Sequence, residues 1–278
     1  MQFDLVIQGQ QIGDTQIEAL ARLSKAAERR RLGPGAARLT GADRSANIAG
    51  ACADLKLDHA FVPAQARLAD FGLVAMDMDS TLIDIECIDE LADMKGIKSD
   101  VAEITRSAMR GEIDFAESLT RRAALLAGLD VAAFQRVYEE RLRLAPGAER
   151  MFDGLKALGI RTSLVSGGFS FFTERLRARL GIDYAFSNEP EIEEGKLTGR
   201  IIGSVLDAGG KAEKLRTVRD LLGLASGQVI AVGDGANDLA MMAEAGVSIA
   251  YHARPVVQRQ TTYSFNHVGL DGLLNLYL

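Results

Sequence analysis

Apolar positions fall into two patterns along the chain. From residue 3 to residue 63 the apolar runs are short and interrupted by charge: FDLVIQ at 3–8 reads as a strand and the Ala/Leu-rich stretch at 14–31 as a helix. A short strand at 36–40, a helix at 43–56 and a strand at 58–63 (DHAFVP) follow. The helix over 14–31 closes on Arg29-Arg30-Arg31, where basic side chains complement the helix dipole, and Gly33-Pro34-Gly35 supplies a stop. After Pro63 the segment AQARLADFG reads as a linker. Beyond it the apolar runs become continuous, at 72–77, 160–165, 229–233 and 247–251, as expected of strands buried on both faces. Helical stretches at 149–159, 170–180, 211–223 and 237–245 lie between and after them. Strands alternating with helices predict βαβ units, and so an α/β fold with a Rossmann-like, doubly wound parallel sheet.

Two departures from simple alternation refine this picture. Residues 82–159, between the first and second of these strands, are mostly helix-like, far more chain than the dozen or so residues a parallel crossover needs. An inserted helical cap at about 84–147 is the expectation. EIEEGKLTGRIIG at 191–203 carries Glu-Gly and Thr-Gly turn signals between apolar residues and predicts a β-hairpin. The division expected is a small N-terminal α+β domain over 1–70 and a larger domain over 71–278.

Composition narrows the function. The 278 residues carry 32 Lys plus Arg against 38 Asp plus Glu, a net charge of −6, which argues against a nucleic-acid-coating protein. Residues 1–70 hold 9 basic and 8 acidic side chains, so the acidity belongs to the second part. No apolar stretch approaches the ~18 residues of a membrane span, and MQFDLVIQGQQIGD lacks a secretory pattern. Cys52 and Cys87 have no disulfide-framework or metal spacing, which fits a cytoplasmic protein, and the three scattered His do not suggest a His-based zinc or triad site.

Four motifs carry chemistry. Asp77-Met78-Asp79-Ser80-Thr81 ends an apolar strand, and its two carboxylates at i and i+2 are unfavourably close unless something such as Mg²⁺ compensates them. With a cation present, one Asp can serve as nucleophile and the other as acid and then base. Gly233-Asp234-Gly235-Ala236-Asn237-Asp238 also ends a strand and opens a helix. Its G-x-G lacks the third glycine of a dinucleotide fingerprint, and Asp238 would repel a pyrophosphate. Two carboxylates four residues apart are better placed to hold a metal. Ser166-Gly167-Gly168 offers a hydroxyl and open backbone N–H groups to a phosphate, and is no G-x-S-x-G elbow. Lys211, in AGGKAE, stands against the dipole at a helix start, an inconsistency that function would explain.

In this order, Asp77-x-Asp79-x-Thr81, Ser166, Lys211 and Gly233-Asp234-Gly235-x-Asn237-Asp238 resemble the four motifs of haloacid-dehalogenase-like phosphohydrolases. Stretches such as DMDSTLIDIECIDELA, SLTRRAALL, VSGGF, GIDYAFSN, GKLTG and AVGDGANDLAMMAEAG resemble the members that act on O-phospho-L-serine, over about 71–270. The resemblance implies Mg²⁺-dependent hydrolysis of O-phospho-L-serine to L-serine and phosphate, the last step of serine biosynthesis, with another small phosphate such as phosphohomoserine as the alternative. It implies that Asp77 attacks phosphorus to form an aspartyl phosphate and that Asp79 protonates the leaving group and then activates water. Mg²⁺ would be held by Asp77, the backbone carbonyl of Asp79, and Asp234, with Asp238 and Thr81 in support. Ser166, Gly167 and Lys211 would contact the phosphoryl group, and Asn237 would line the site. In the cap, Glu86 would accept the substrate ammonium and Arg122, rather than its neighbour Arg121, would clamp the carboxylate. The implied partner is a small-molecule substrate, with neither nucleic acid nor membrane, for a monomer or homodimer. Residues 1–70 resemble part of an ACT-type regulatory unit, shorter than its full βαββαβ order, with a regulatory or a structural role.

Overall fold

A computed structural model of the chain describes residues 2–277 apart from Ser45 and Gly111. The first unit comprises β1 (Phe3–Gln8), α1 (Asp14–Leu23), β2 (Glu28–Gly33), β3 (Ala36–Thr40), α2 (Ile48–Asp54) and β4 (Asp58–Pro63). Its four strands form an antiparallel sheet in the order β2-β3-β1-β4.

The arginine run corrects the sequence reading. The helix stops at Leu23, Ser24 turns its hydroxyl back onto the Leu20 carbonyl (2.8 Å), and Lys25 takes a left-handed φ of 52°. Arg29, Arg30 and Arg31 then lie on β2, and Gly33-Pro34-Gly35 turns a hairpin into β3 instead of ending a helix. β2 is an exposed edge strand, where charge discourages pairing with another chain. Arg31 and Arg29 reach across to acidic residues of α1, to Asp14 at 2.5 Å and Glu18 at 3.9 Å. With this strand added, the unit has the full βαββαβ order that the sequence pattern left short.

The period-2 alternation of β1 gives this sheet two faces. Leu5 and Ile7 pack under α1 and α2 with Leu20, Leu39 and Ile48. Asp4, Val6 and Gln8 face the C-terminal segment. There the buried Arg38 pairs with Asp4 (3.2 Å) and donates to the Leu276 carbonyl (2.8 Å), while Asn275 donates to Gln8 (3.1 Å). Asp58 accepts the backbone N–H groups of Asn266, His267 and Val268 at 2.8, 2.8 and 3.1 Å. The first unit is thus joined to the end of the chain by buried polar contacts as well as by apolar packing.

The larger unit begins with β5 (Leu73–Met76), and the cap follows as α3 (Cys87–Lys95), α4 (Lys98–Met109), α5 (Phe115–Leu125) and α6 (Ala132–Arg136). The chain enters and leaves the cap side by side: Asp84 donates to the Arg143 carbonyl (3.1 Å) and Ala145 to the Leu82 carbonyl (2.9 Å). Then come α7 (Ala148–Ala157), β6 (Arg161–Phe169), α8 (Ser170–Leu180), β7 (Tyr184–Glu193), β8 (Lys196–Ile202) and α9 (Ala208–Leu221). β9 (Val229–Gly233), α10 (Leu239–Met242), β10 (Val247–Tyr251), α11 (Pro255–Gln258), β11 (Tyr263–Phe265) and α12 (Gly272–Leu276) complete it.

Among the described residues these strands form one sheet in the order β11-β10-β9-β5-β6-β7-β8, parallel except for the β7–β8 hairpin. β5 is central, flanked by β6 on one side and β9 on the other. The chain winds outward in both directions from this point, and ligands of such sheets collect at the carboxyl ends of strands where the order reverses.

Candidate active site

The three strands flanking that reversal each deliver a sequence motif at their carboxyl ends. Asp77 follows β5 and is buried; its Oδ1 accepts the Met78 N–H (2.7 Å) and lies 2.7 Å from Lys211 Nζ. The same ammonium, fully buried near the start of α9, lies 2.8 Å from Asp238 Oδ1. Lys211 therefore ties the β5 motif to the β9 motif. Burial alone would lower its affinity for a proton, but the Asp238 and Asp77 carboxylates hold it above the ordinary lysine value. Conversely, burial together with the Asp238 charge pushes the Asp77 carboxyl well above the usual carboxylate range.

Asp238 is anchored on every side. Its Oδ2 accepts the N–H groups of Asp234 (3.2 Å) and Gly235 (3.0 Å), and its Oδ1 accepts from Lys211 and from the Asn237 amide (3.4 Å). This loop also explains its two glycines. A Cβ at Gly233 would meet the Asp238 carboxyl group at 2.6 Å, and one at Gly235 would meet Asn237 Oδ1 at 2.1 Å. Asp234 accepts the Thr81 hydroxyl (2.9 Å), a second tie between the motifs; burial and the Asp238 charge push its carboxyl up to about 6.

Asp77, Asp234 and Asp238 each place a carboxylate oxygen within 4.8 Å of the other two. Three carboxylates against the one ammonium of Lys211 leave an excess of two negative charges. The donors are all oxygen, so the set fits a hard divalent cation. The Asp79 carboxylate is not part of this cluster. Its Oδ1 accepts the Cys87 N–H (2.9 Å) at the entrance to the cap, and burial raises its carboxyl above the usual value.

Around this cluster, Ser166 is buried with its Oγ accepting the Gly168 N–H (2.9 Å), which leaves the hydroxyl proton for another acceptor. The backbone at Gly167 is fixed by Asn188, whose amide donates to the Gly167 carbonyl (2.9 Å) and accepts the Leu206 N–H (2.7 Å). A Cβ at Gly167 would lie 2.6 Å from the Phe115 ring at the start of α5, and one at Gly168 would lie 2.8 Å from Asp79 Oδ2. Cap and core thus meet directly over the Ser166 motif.

The cap contributes two further residues singled out from sequence. Glu86 precedes α3 without capping it; its carboxylate accepts the Ser80 hydroxyl (2.7 Å), and Ser80 itself has a left-handed φ of 56°. Its side chain is exposed at the rim, but the surrounding protein displaces water on its other sides and Asp79 adds like charge, which raises it to about 8. On α5, Arg121 is exposed and pairs with Glu117, whereas Arg122 is half-buried with its Nε enclosed and without a hydrogen-bond partner. Cys87, Asn188 and Phe115 escaped the sequence reading. Cys87 acts through its backbone, Asn188 through two main-chain contacts and Phe115 through packing, none of which leaves a charge signature.

Residues 71–246 match the family model described as haloacid dehalogenase-like hydrolase, and residues 5–48 match that of a domain of unknown function, DUF4072. A phosphoserine phosphatase of Polaromonas sp. (strain JS666 / ATCC BAA-500) is 53% identical over 215 residues, covering 76% of this chain and 91% of that protein. A crystal structure of a probable phosphoserine phosphatase from Vibrio cholerae, in unliganded form, superposes with a TM-score of 0.87 at 34% identity, covering 99% of this chain and 86% of that one. A phospho-aspartyl intermediate analogue of phosphoserine phosphatase superposes with a TM-score of 0.70 at 35% identity, covering 75% of this chain and 99% of that one. Among the described residues no helix is long and apolar enough to cross a membrane.

Proposed function

Since the chain belongs to the haloacid dehalogenase-like hydrolases, we propose that it is the cytoplasmic enzyme that hydrolyses O-phospho-L-serine to L-serine and phosphate, the last step of serine biosynthesis. The observation that carries this reading is the buried Asp77, held by Lys211 inside an excess of carboxylates beneath a cap that contains Glu86 and Arg122. In this reading residues 84–147 are the cap, and the βαββαβ unit within residues 1–70 has a regulatory or structural role.

The chemistry follows from the residues. Asp77 Oδ1 is engaged by Lys211 and Met78, so Oδ2 is the oxygen that attacks phosphorus. As the Asp77–phosphorus bond forms, the bond to the serine oxygen breaks, and Asp79, whose raised proton affinity favours the acid form, gives that oxygen its proton. Asp79, now ionised, takes a proton from water as the water oxygen bonds to phosphorus and the Asp77–phosphorus bond breaks. Lys211, the Ser166 hydroxyl and the Gly167 backbone bind the phosphoryl oxygens, and Asn237 lines the site. Glu86 receives the ammonium, and Arg122 clamps the carboxylate with the bidentate geometry a lysine lacks. Asp77, Asp234 and the Asp79 carbonyl would hold Mg²⁺, with Asp238 and Thr81 in support, and the ion would supply positive charge against the transferring group.

The test is phosphate release from O-phospho-L-serine, O-phosphohomoserine and sugar phosphates, with and without chelator. Preference for O-phospho-L-serine and loss of turnover in chelator, restored by Mg²⁺, are expected. Equal rates on sugar phosphates would remove the substrate assignment, and full activity in chelator the metal.

A further inference from the structure

Inside the cap, one residue with a buried, partnerless oxygen has no role in the reading above. Asp89 lies on α3, one turn beyond Glu86, and its Oδ1 is enclosed without a hydrogen-bond partner. On α5, which packs against α3, the Nε of Arg122 is enclosed and partnerless in the same way. An enclosed carboxylate oxygen that accepts nothing is costly, and so is an enclosed guanidinium N–H that donates to nothing. Here the two are opposite in charge and complementary as acceptor and donor. Of the charges around Arg122, that of Asp89 acts on it most strongly, and Arg122 is the charge that acts most strongly on Asp89. No ion pair joins them directly among the described residues, so each retains the capacity the other requires.

We propose that Asp89 is a positioning residue for Arg122: its Oδ1 accepts the Nε–H when substrate is bound, which turns the two terminal nitrogens of the guanidinium toward the substrate carboxylate. A guanidinium has five donors in a fixed fork. If the Nε edge is held by the protein, the opposite end is free for a bidentate contact, and the fork does not have to be ordered anew with each turnover. The inference rests on the reading of Arg122 as the carboxylate clamp. It assigns to α3 a pair of acids one turn apart with different tasks, Glu86 toward the ammonium and Asp89 toward the guanidinium.

The experiment compares two substrates that differ only in the carboxylate, O-phospho-L-serine and O-phosphoethanolamine, the latter measured as a competitive inhibitor where its turnover is slow. Asp89→Ala is expected to raise KM for O-phospho-L-serine by about 10- to 100-fold, the range for losing a hydrogen bond to a charged group, with kcat little changed. Its affinity for O-phosphoethanolamine should stay within about twofold of wild type. Asp89→Asn, which keeps an acceptor but not the charge, should fall between. Equal losses on both compounds would make Asp89 a residue of the fold alone, and unchanged or lowered KM for O-phospho-L-serine would also overturn the proposal. Wild-type enzyme with no preference for O-phospho-L-serine would instead overturn the substrate reading beneath it.

Discussion

Replacing Lys211 by Met tests the electrostatic account of the site most directly. Methionine matches the length of the lysine stem but deletes the ammonium that lies 2.7 and 2.8 Å from Asp77 and Asp238. The local charge of Asp77, Asp234, Asp238 and residue 211 falls from −2 to −3. Removing one partner from a buried ion pair costs about 3–5 kcal/mol, because the charge left behind is neither solvated nor compensated. For a unit of this size each kcal/mol is worth about 2–4 °C, so Tm in chelator should drop by roughly 10 °C. Mg²⁺ should stabilise the variant more than wild type, since the cation then meets one more negative charge; saturation at 100 times Kd is worth about 2.7 kcal/mol.

The pH dependence has a definite sign. Asp77 and Asp234 have folded-state proton affinities above those of an unfolded aspartate, Asp234 at about 6 and Asp77 raised as well. Their stabilising contribution is complete below the unfolded value and is lost as pH rises through the folded values. In chelator, the gap in Tm between wild type and Lys211→Met should therefore be smaller near pH 5 than near pH 8. Differential scanning calorimetry across that range, with and without Mg²⁺, measures it. A deficit under about 2 °C in chelator, or one that grows on acidification, would refute the charge-excess argument. Activity is a separate readout, and if Lys211 binds the phosphoryl oxygens as proposed, a fall in kcat on the order of 10²- to 10³-fold is expected from its loss.

Asp77→Asn should abolish turnover, by a factor on the order of 10⁴ or more, while far-ultraviolet circular dichroism stays as in wild type; activity near the wild-type rate would remove Asp77 as nucleophile. Gly168→Ala places a Cβ 2.8 Å from Asp79 Oδ2 and 3.1 Å from Ser166 Oγ, and should lower kcat at least about tenfold with KM little changed. Wild-type kcat would show that the Asp79 carboxylate can move aside freely. Arg38→Met removes the cationic partner of the buried Asp4 carboxylate, whose other oxygen keeps the Gly41 N–H (3.1 Å), and removes the donor to the Leu276 carbonyl. It should cost about 3–5 kcal/mol by denaturant titration without altering kcat of the folded enzyme, and Asp4→Leu in the same chain should recover much of the loss. A double variant no better than the single one would show that the ion pair is not the source.

Legibility in the sequence followed the kind of signal each element carried. The parallel strands of the larger sheet were readable because burial on both faces demands unbroken apolar runs, and the chemistry-bearing residues because they stand at the ends of those runs. β11 was missed because three residues are too short to show a period, and the first half of β7 because its positions are only half-buried. β2 was misread for a physical reason: an edge strand with polar faces has no apolar alternation, so three arginines before a Gly-Pro-Gly turn look like a basic helix terminus. That one error concealed the full βαββαβ order of the first unit. Its attachment to the rest was also hidden, since Asp4, Arg38 and Asp58 are charged residues that pattern alone assigns to the surface, whereas the fold buries them.

The site's carboxylates differ in what their oxygens do. Asp77 receives Met78 and Lys211 on Oδ1, Asp79 receives Cys87 on Oδ1, Glu86 receives Ser80 on Oε1 and Asp234 receives Thr81 on Oδ1. Each is oriented through one oxygen, and a carboxylate held that way keeps acceptor capacity for a cation, a proton or a substrate group. Asp238 differs, because both of its oxygens are engaged, by Lys211 and Asn237 on one side and the loop N–H groups on the other. It shares a motif with Asp234 and lies in the same acidic cluster, so spacing gives both the same standing. The hydrogen bonds assign them different work. Asp234 is available to a ligand, whereas Asp238 sets the shape of the loop and the place of the lysine. An amide at position 238 would keep a single acceptor oxygen and turn a donor toward either the ammonium or the loop N–H groups, so its damage should reach Asp77 through Lys211 even with Asp234 untouched.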